Sequence, residues 1–320
     1  MAVQCEGLAT PNANGGKNPK TQCRAACCGS YKRFIGRPFF QLSIDPKIHT
    51  GILASLAEFK LNSAFRVLHW PAVRSGETGA MLEGNAADSS RKTVLVTGGS
   101  GVIGTAIVHA LRESGHQVCS TWHSSEERAT VLSESTGCEV RRADISDEAE
   151  VLALFDSLPS LWAVVHAAAI SRNALLLKQS REDWAATMKV DAGGSFLITR
   201  ESLKRLPDGG RLVLLASRVG EIGNVGQGAY AAAKAATIAL AKVAAREGGF
   251  RHIAVNALCP GLVPSPLTAS LNIASLRAFK ARSVLGELGD ARDVAGAVCW
   301  LLSDDAAGVS GQVIHCDSRI

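Results

Sequence analysis

Lys92-Thr-Val-Leu-Val-Thr97 runs directly into Gly98-Gly-Ser-Gly-Val-Ile-Gly104, and then into Thr105-Ala-Ile-Val-His-Ala-Leu-Arg112. The first piece is a short β-branched run, the last has helical periodicity, and glycines fill the turn between them. Strand, glycine turn and helix is the context in which G-x-G-x-x-G, here Gly99, Gly101 and Gly104, marks a dinucleotide site. Glycine permits the tight turn and lets backbone approach a pyrophosphate, while the helix N-terminus offers amide donors and the positive end of its dipole. A purely structural glycine turn is the alternative.

The next strand, Gln117-Val-Cys-Ser-Thr-Trp122, ends in His123-Ser-Ser125. Sites for NAD usually carry an acid at this tip to bind the ribose 2′-hydroxyl. None stands here, so His123, Ser124 and Arg128 read as donors to a 2′-phosphate, which favours NADP (NADPH) over NAD. A solvated polar loop is the plain alternative. Cys138–Ala143 makes a third strand, with Asp144 at its end placed to accept from an adenine amino group. Leu161–His166 is a fourth, and the small side chains of Ala167, Ala168 and Ala169 suit backbone that passes close to a cofactor. A helix over 181–206, a strand at 211–217, a helix over 228–247, a strand at 252–258, a helix over 293–303 and a strand at 310–315 follow. Alternating strands and helices imply a doubly wound, Rossmann-type parallel sheet of about seven strands, covered by helices on both faces. Ligands then sit beyond the carboxyl ends of the strands.

Tyr230 and Lys234 stand four residues apart in an Ala-rich helix, so they share a face. A neighbouring ammonium favours the phenolate, as a tyrosine acting as general acid/base requires. Ser217 follows the apolar run Arg211-Leu-Val-Leu-Leu-Ala216, which places its hydroxyl at a strand's carboxyl end. A carbonyl held by serine and tyrosine, with tyrosine supplying the proton, is half of a hydride transfer. The spacing alone also fits a surface lysine beside a half-buried tyrosine.

From Lys92 to the C-terminus the chain resembles the short-chain dehydrogenase/reductase family, and within it the 3-oxoacyl-[acyl-carrier-protein] reductases. The resemblance makes Ser217, Tyr230 and Lys234 the catalytic residues, with Asp191 as a fourth. It assigns Gly98, Ser100, Gly101, Val102, Ile103 and Gly104 to the cofactor phosphates, and Asp144 with Ile145 to the adenine. Cys259-Pro-Gly-Leu-Val-Pro-Ser265 resembles the loop over the nicotinamide: Pro260 and Gly261 shape it, Val263 meets the carboxamide and Ser265 the pyrophosphate. The resemblance also implies a homotetramer or homodimer pairing through the helices of 181–206 and 228–247. Pro266–Leu288 corresponds to the variable substrate loop. Arg251 matches a basic position that contacts acyl carrier protein, whereas the second such position is Asp208.

Three departures stand out. The glycine pattern, with Val102 at the sixth position, resembles that of the extended subfamily, while the Ser-to-Tyr spacing matches the short reductases. His166-Ala-Ala-Ala169 replaces Asn-Asn-Ala-Gly and removes two amides that brace the sheet. Asp191 replaces an asparagine that holds a proton-relay water through its backbone. A carboxylate there is expected to hold the proton on Lys234 more tightly, offset its effect on Tyr230 and alter the pH optimum.

The chain has 320 residues and a formal net charge of +5. Residues 1–90 hold ten Lys/Arg against six Asp/Glu, while the remainder holds 24 against 23. The excess therefore lies in the N-terminal segment, and no basic face for nucleic acid is evident after it. Residues 1–90 read as an extension and 91–320 as the enzyme-like domain. The extension is basic and acid-poor, as transit peptides are. A start at Met81 is the alternative, and residues 1–85 are expected to be poorly ordered. The protein is accordingly expected to be cytoplasmic, or organellar if the segment is a transit peptide. Of the nine cysteines, Cys119, Cys138, Cys259, Cys299 and Cys316 fall in or beside core elements, where a thiol acts as a small hydrophobe. Cys23, Cys27 and Cys28 lack zinc-site spacing, and no metal is expected. No apolar run reaches the ~18–20 residues that span a bilayer.

Three functions fit: a reductase of 3-oxoacyl thioesters, carried on acyl carrier protein or CoA; a reductase or dehydrogenase of another small carbonyl or alcohol, such as a sugar or polyketide intermediate; or a non-catalytic dinucleotide sensor.

Overall fold

The computed structural model describes residues 92–158, 161–269 and 271–318. The expectations for residues 1–90, including the Cys23–Cys28 cluster, lie outside the described residues. In chain order the elements are β1 (Thr93–Thr97), α1 (Val102–Glu113), β2 (Gln117–Trp122), α2 (Glu126–Thr136), β3 (Glu139–Arg142), α3 (Glu148–Asp156) and β4 (Leu161–His166). Then come α4 (Arg181–Thr187), a π-helical turn (Met188–Gly193), α5 (Gly194–Arg205), β5 (Arg211–Leu215), α6 (Val219–Ile222) and α7 (Gly228–Gly248). The chain closes with β6 (Ala254–Pro260), α8 (Ile273–Arg282), α9 (Ala291–Leu302) and β7 (Val313–Cys316).

The strands form one seven-stranded sheet in the order β3-β2-β1-β4-β5-β6-β7, with every pair parallel. Strand order reverses between β1 and β4, so a crevice opens at their carboxyl ends. Side chains alternate across the sheet. Leu95 joins Leu212, Leu214, Val255, Ile198 and Ile238 in the core beneath α5 and α7. Val94 and Val96 join Ile107, Leu111, Val298 and Leu301 in the core beneath α1 and α9. Burial on both faces explains why these strands read as unbroken apolar runs. Among the described residues no helix is long and apolar enough to cross a membrane.

Several boundaries differ from the sequence reading. The strand expected at 211–217 ends at Leu215, leaving Ser217 in the loop beyond it. The strand expected at 252–258 runs instead from Ala254 to Pro260, and the last strand lies at Val313–Cys316. The helix expected over 181–206 is interrupted by the π turn that holds Asp191. Such wide turns occur frequently at functional sites.

Candidate active site

The glycine loop shows which glycines the protein itself requires. A Cβ on Gly104 would lie 2.3 Å from the Gly98 carbonyl oxygen and 2.7 Å from the Gly99 Cα. That glycine is fixed by close packing of α1 on the turn. Gly98 has φ +71°, in the left-handed region, and a Cβ there would meet the Ala168 backbone at 2.6 Å. Gly101 differs: it precedes α1 at φ −80°, and its nearest neighbour on the Cβ side is Gly98 O at 3.3 Å. A Cβ at Gly101 would press on that backbone oxygen by only a few tenths of an ångström, a milder conflict than at Gly98 or Gly104. No side chain caps α1, and no acid lies in its first turn. The free amides and positive dipole end suit a pyrophosphate.

Behind this loop His166 braces the sheet in place of the missing amides. Its Nδ1 lies 2.7 Å from Thr97 Oγ1 and its Nε2 lies 3.1 Å from Ser195 Oγ. Ser195 donates its only proton to the Asp191 carbonyl at 2.5 Å, so its oxygen must accept from His166 Nε2–H. Thr97 then donates to Nδ1, which fixes one tautomer for the ring. His166 is fully buried, and burial together with the Lys234 charge holds it at about 3, hence neutral. The expected loss of bracing at this position is therefore corrected: one imidazole on β4 joins β1 to the start of α5, and Ser195 carries the link on to the π turn.

Ser217, Tyr230 and Lys234 converge on one cavity, whose walls also include Ala167, Ala169, Pro260, Gly261, Val263 and Ser265. Ser217 Oγ accepts from the Val219 amide at 3.2 Å, which leaves its own proton for another acceptor. Lys234 is 2% exposed and donates to the Leu215 carbonyl at 2.8 Å. Its Nζ lies 5.7 Å from the centre of the Tyr230 ring. Gly220 makes this convergence possible: a Cβ there would lie 2.7 Å from the Lys234 and Ala235 backbone, so the loop after Ser217 packs directly on α7. The sequence reading did not single out Gly220.

Asp191 is fully buried. Its Oδ1 accepts from the Ile170 amide at 2.8 Å, whereas Oδ2 is buried without a hydrogen-bond partner among the described residues. Burial raises its carboxyl above the ordinary range, although the Lys234 charge and the Ile170 amide pull the other way. Asp191 thus feels the Lys234 charge, but its direct partner is the backbone just after the Ala167–Ala169 turn.

At the β2 tip His123 is largely exposed, and its Nε2 lies 3.9 Å from Asp144 Oδ2. Asp144 Oδ1 accepts from both the amide and the hydroxyl of Ser146. Burial would raise this carboxyl, but those bonds and the charges of His123 and Lys189 bring it below the usual range. Ser124 stands beside His123, and Ile145 is buried next to Asp144. Ser265 opens a short turn in which its amide donates to Thr268 Oγ1 at 2.8 Å. Thr268, Phe279, Arg218 and Arg282 also line the cavity. None of the four was singled out in the sequence, although Thr268, Phe279 and Arg282 fall within the Pro266–Leu288 stretch that the resemblance assigned to the variable substrate loop.

Arg251 does not present a free guanidinium. Its Nε bonds Asp208 Oδ1 at 2.9 Å, while Nη1 and Nη2 bond the carbonyls of Leu203 and Leu206 at 2.7 and 2.5 Å. It holds the end of α5, and the acid at position 208 is its ion-pair partner.

A family model described as "Enoyl-(Acyl carrier protein) reductase" matches residues 99–318. The 3-oxoacyl-[acyl-carrier-protein] reductase FabG of Rickettsia felis is 33% identical over 233 residues, spanning 71% of this chain and 96% of the relative. The protein of the same name from Vibrio cholerae is 34% identical over 232 residues, spanning 70% and 95%. Among solved structures, BdcA in complex with NADPH is similar with a TM-score of 0.67 and 28% identity, covering 71% of this chain and 93% of that one.

Proposed function

The chain belongs to the short-chain dehydrogenase/reductase family, and from that premise we propose that it is an NADPH-dependent reductase converting a 3-oxoacyl thioester to a 3-hydroxyacyl thioester. The observation that carries this reading is the meeting of Ser217, Tyr230 and Lys234 on one cavity with the Pro260–Ser265 loop. The residues present fit the cofactor. Gly98 and Ser100–Gly104 with the uncapped end of α1 would hold the pyrophosphate. Asp144 and Ile145 would flank the adenine, with His123 and Ser124 at the 2′-phosphate. Ala167–Ala169, Pro260, Gly261, Val263 and Ser265 would enclose the nicotinamide half. When bound, NADPH supplies the hydride that reduces the carbonyl carbon.

This chain's own residues handle the oxygen and the proton. Ser217 donates its unused hydroxyl proton to the substrate oxygen and orients the carbonyl. Tyr230 transfers its phenolic proton to the same oxygen as negative charge builds there. The buried Lys234 ammonium stabilises the charge left on the phenol, an interaction that is stronger in a low-dielectric site than in water. Solvent then returns a proton to Tyr230.

The thioester assignment draws on the printed activity of the FabG relatives and on charge at the cavity mouth. Helix α8 carries Arg277, Lys280 and Arg282 with no acid in its ten residues, and Arg282 reaches the cavity. That is a favourable surface for an acidic carrier or a phosphopantetheine. With Arg251 engaged by Asp208, we put carrier contacts at α8, although its Lys280 is itself paired with Glu287. The deciding experiment follows NADPH oxidation with acetoacetyl thioesters of acyl carrier protein and of CoA, beside a panel of free ketones, with Tyr230→Phe as control. Turnover confined to thioesters supports the proposal. Turnover of free ketones alone assigns another small carbonyl substrate, and NADPH binding without turnover of any substrate refutes catalysis.

A further inference from the structure

At the far side of the sheet from the glycine loop, three side chains of metal-ligating type converge from three different elements. Glu221 comes from α6, Cys259 from β6 and His315 from β7. Their donor atoms all lie within 4.8 Å of one another, and His315 Nε2 is 2.5 Å from Glu221 Oε2. We propose that these residues form a site for a zinc-class divalent cation.

The geometry is close to what such an ion needs. Metal–ligand bonds of about 2.0–2.3 Å in a tetrahedron set the donors about 3.4–3.6 Å apart. The His315–Glu221 pair must therefore open by about 1 Å, and the wider pairs must close by about as much. Cys259 is fixed on a fully buried strand. The His315 and Glu221 side chains are 41% and 34% exposed, so they can adjust and the ion can enter. The donor set also selects the ion. Thiolate, carboxylate and neutral imidazole together neutralise a divalent charge. A mixed S, N and O set suits zinc, whereas calcium and magnesium take oxygen donors. Three protein ligands leave a fourth position open, in the manner of non-structural zinc sites. The site adjoins the reaction centre, because Cys259 directly precedes Pro260, which lines the same cavity as Ser217. The plain alternative is a surface ion pair lying over an inert buried thiol.

The test is a cobalt(II) titration of the chelator-treated, reduced full chain, followed by displacement with zinc. The expected result is one tight equivalent showing a thiolate-to-cobalt charge-transfer band. That band is lost in Cys259→Ser, and binding weakens at least about tenfold in His315→Gln and in Glu221→Gln. The latter two change exposed side chains, so they remain informative if the cysteine variant does not fold. Absence of the thiolate band overturns the proposal. So does a band unchanged in His315→Gln and Glu221→Gln, which assigns the ion to others of the nine cysteines.

Discussion

Replacing Gly101 and Gly104 one at a time with alanine separates what the glycine turn does for the fold from what it does for the cofactor. At Gly104 an alanine gains about 1 kcal/mol of helix propensity over glycine. Its methyl, however, would sit 2.3 Å from the Gly98 carbonyl oxygen and 2.7 Å from the Gly99 Cα. Both are backbone atoms that cannot rotate away. Overpacking of this kind costs about 3 kcal/mol at the upper end of the usual range, for a net loss of about 2 kcal/mol. In a domain of this size that lowers the melting temperature by about 4–8 °C. At Gly101 the backbone φ of −80° is ordinary for alanine, and the nearest atom is 3.3 Å away. Exchanging glycine for alanine before a helix costs under about 1 kcal/mol. The methyl instead occupies the face across which a pyrophosphate would approach, and NADPH affinity should fall at least about tenfold, or 1.4 kcal/mol. Thermal unfolding without cofactor, together with NADPH titration by fluorescence, measures both quantities. The reasoning fails if Gly101→Ala binds NADPH like the wild type, or if Gly104→Ala is as stable as the wild type.

Tyr230→Phe keeps the ring beside Lys234 but removes the proton, so turnover should drop by about 10²–10⁴ with NADPH binding unchanged; a smaller drop in steady-state rate argues for another acid. Burial raises the Asp191 carboxyl, so its ionised form opposes folding: the associated stability is present at low pH and lost as pH rises through the raised value. Asp191→Asn should therefore increase the urea midpoint at pH 7, with the gain shrinking toward pH 4, and a pH-independent gain would refute this account. It should also move the pH–rate profile, because it removes a charge that interacts with Lys234. His166 titrates in the opposite sense. Burial and Lys234 depress it from 6.5 to about 3, so stability is present above pH 6.5 and falls by roughly 1.4 kcal/mol per unit below it. His166→Asn should flatten that slope between pH 6 and about 4, as read from denaturant midpoints; an unchanged slope assigns the acid lability to other groups.

The parts of this site legible in the sequence are those whose cause is local. A glycine turn between a β-branched run and an amphipathic helix is written in adjacent residues, and the Tyr230–Lys234 face follows from helical pitch. The parts that escaped depend on distant partners. His166 looked like a loss of two amides, because its partners Thr97 and Ser195 lie 69 and 29 residues away. Gly220 reads as one more loop glycine until α6 is seen packed on the α7 backbone. The π turn at Met188–Gly193 preserves helical periodicity on both sides, so nothing in the pattern reports its extra residue. Arg251 could be matched to a basic position, but only its contacts show that it is occupied with the end of α5. Glu221, Cys259 and His315 share no spacing at all.

The departures from the family pattern bear on whether the chain retains chemistry or only cofactor binding. Taken singly, His166 and Asp191 each look like erosion. The structure joins them: Thr97 donates to His166, His166 donates to Ser195, and Ser195 donates to the Asp191 carbonyl. Thr97 is the last residue before the glycine loop, and Asp191 holds the Ile170 amide just beyond the cavity wall at Ala169. This relay runs from the glycine turn to the π turn packed on α7, the helix that carries Tyr230, and every donor in it has an acceptor. Satisfied buried links specify one arrangement of the elements they tie, and here they are complete except at the buried Asp191 Oδ2. The imidazole is neutral because burial and the nearby Lys234 both oppose a second positive charge. The same neutrality spares Lys234 a competing cation beside it. A substitution that replaced the missing amides while keeping Lys234 buried, and facing the same cavity as Tyr230 and Ser217, preserves what proton transfer requires and what a dinucleotide sensor would not need.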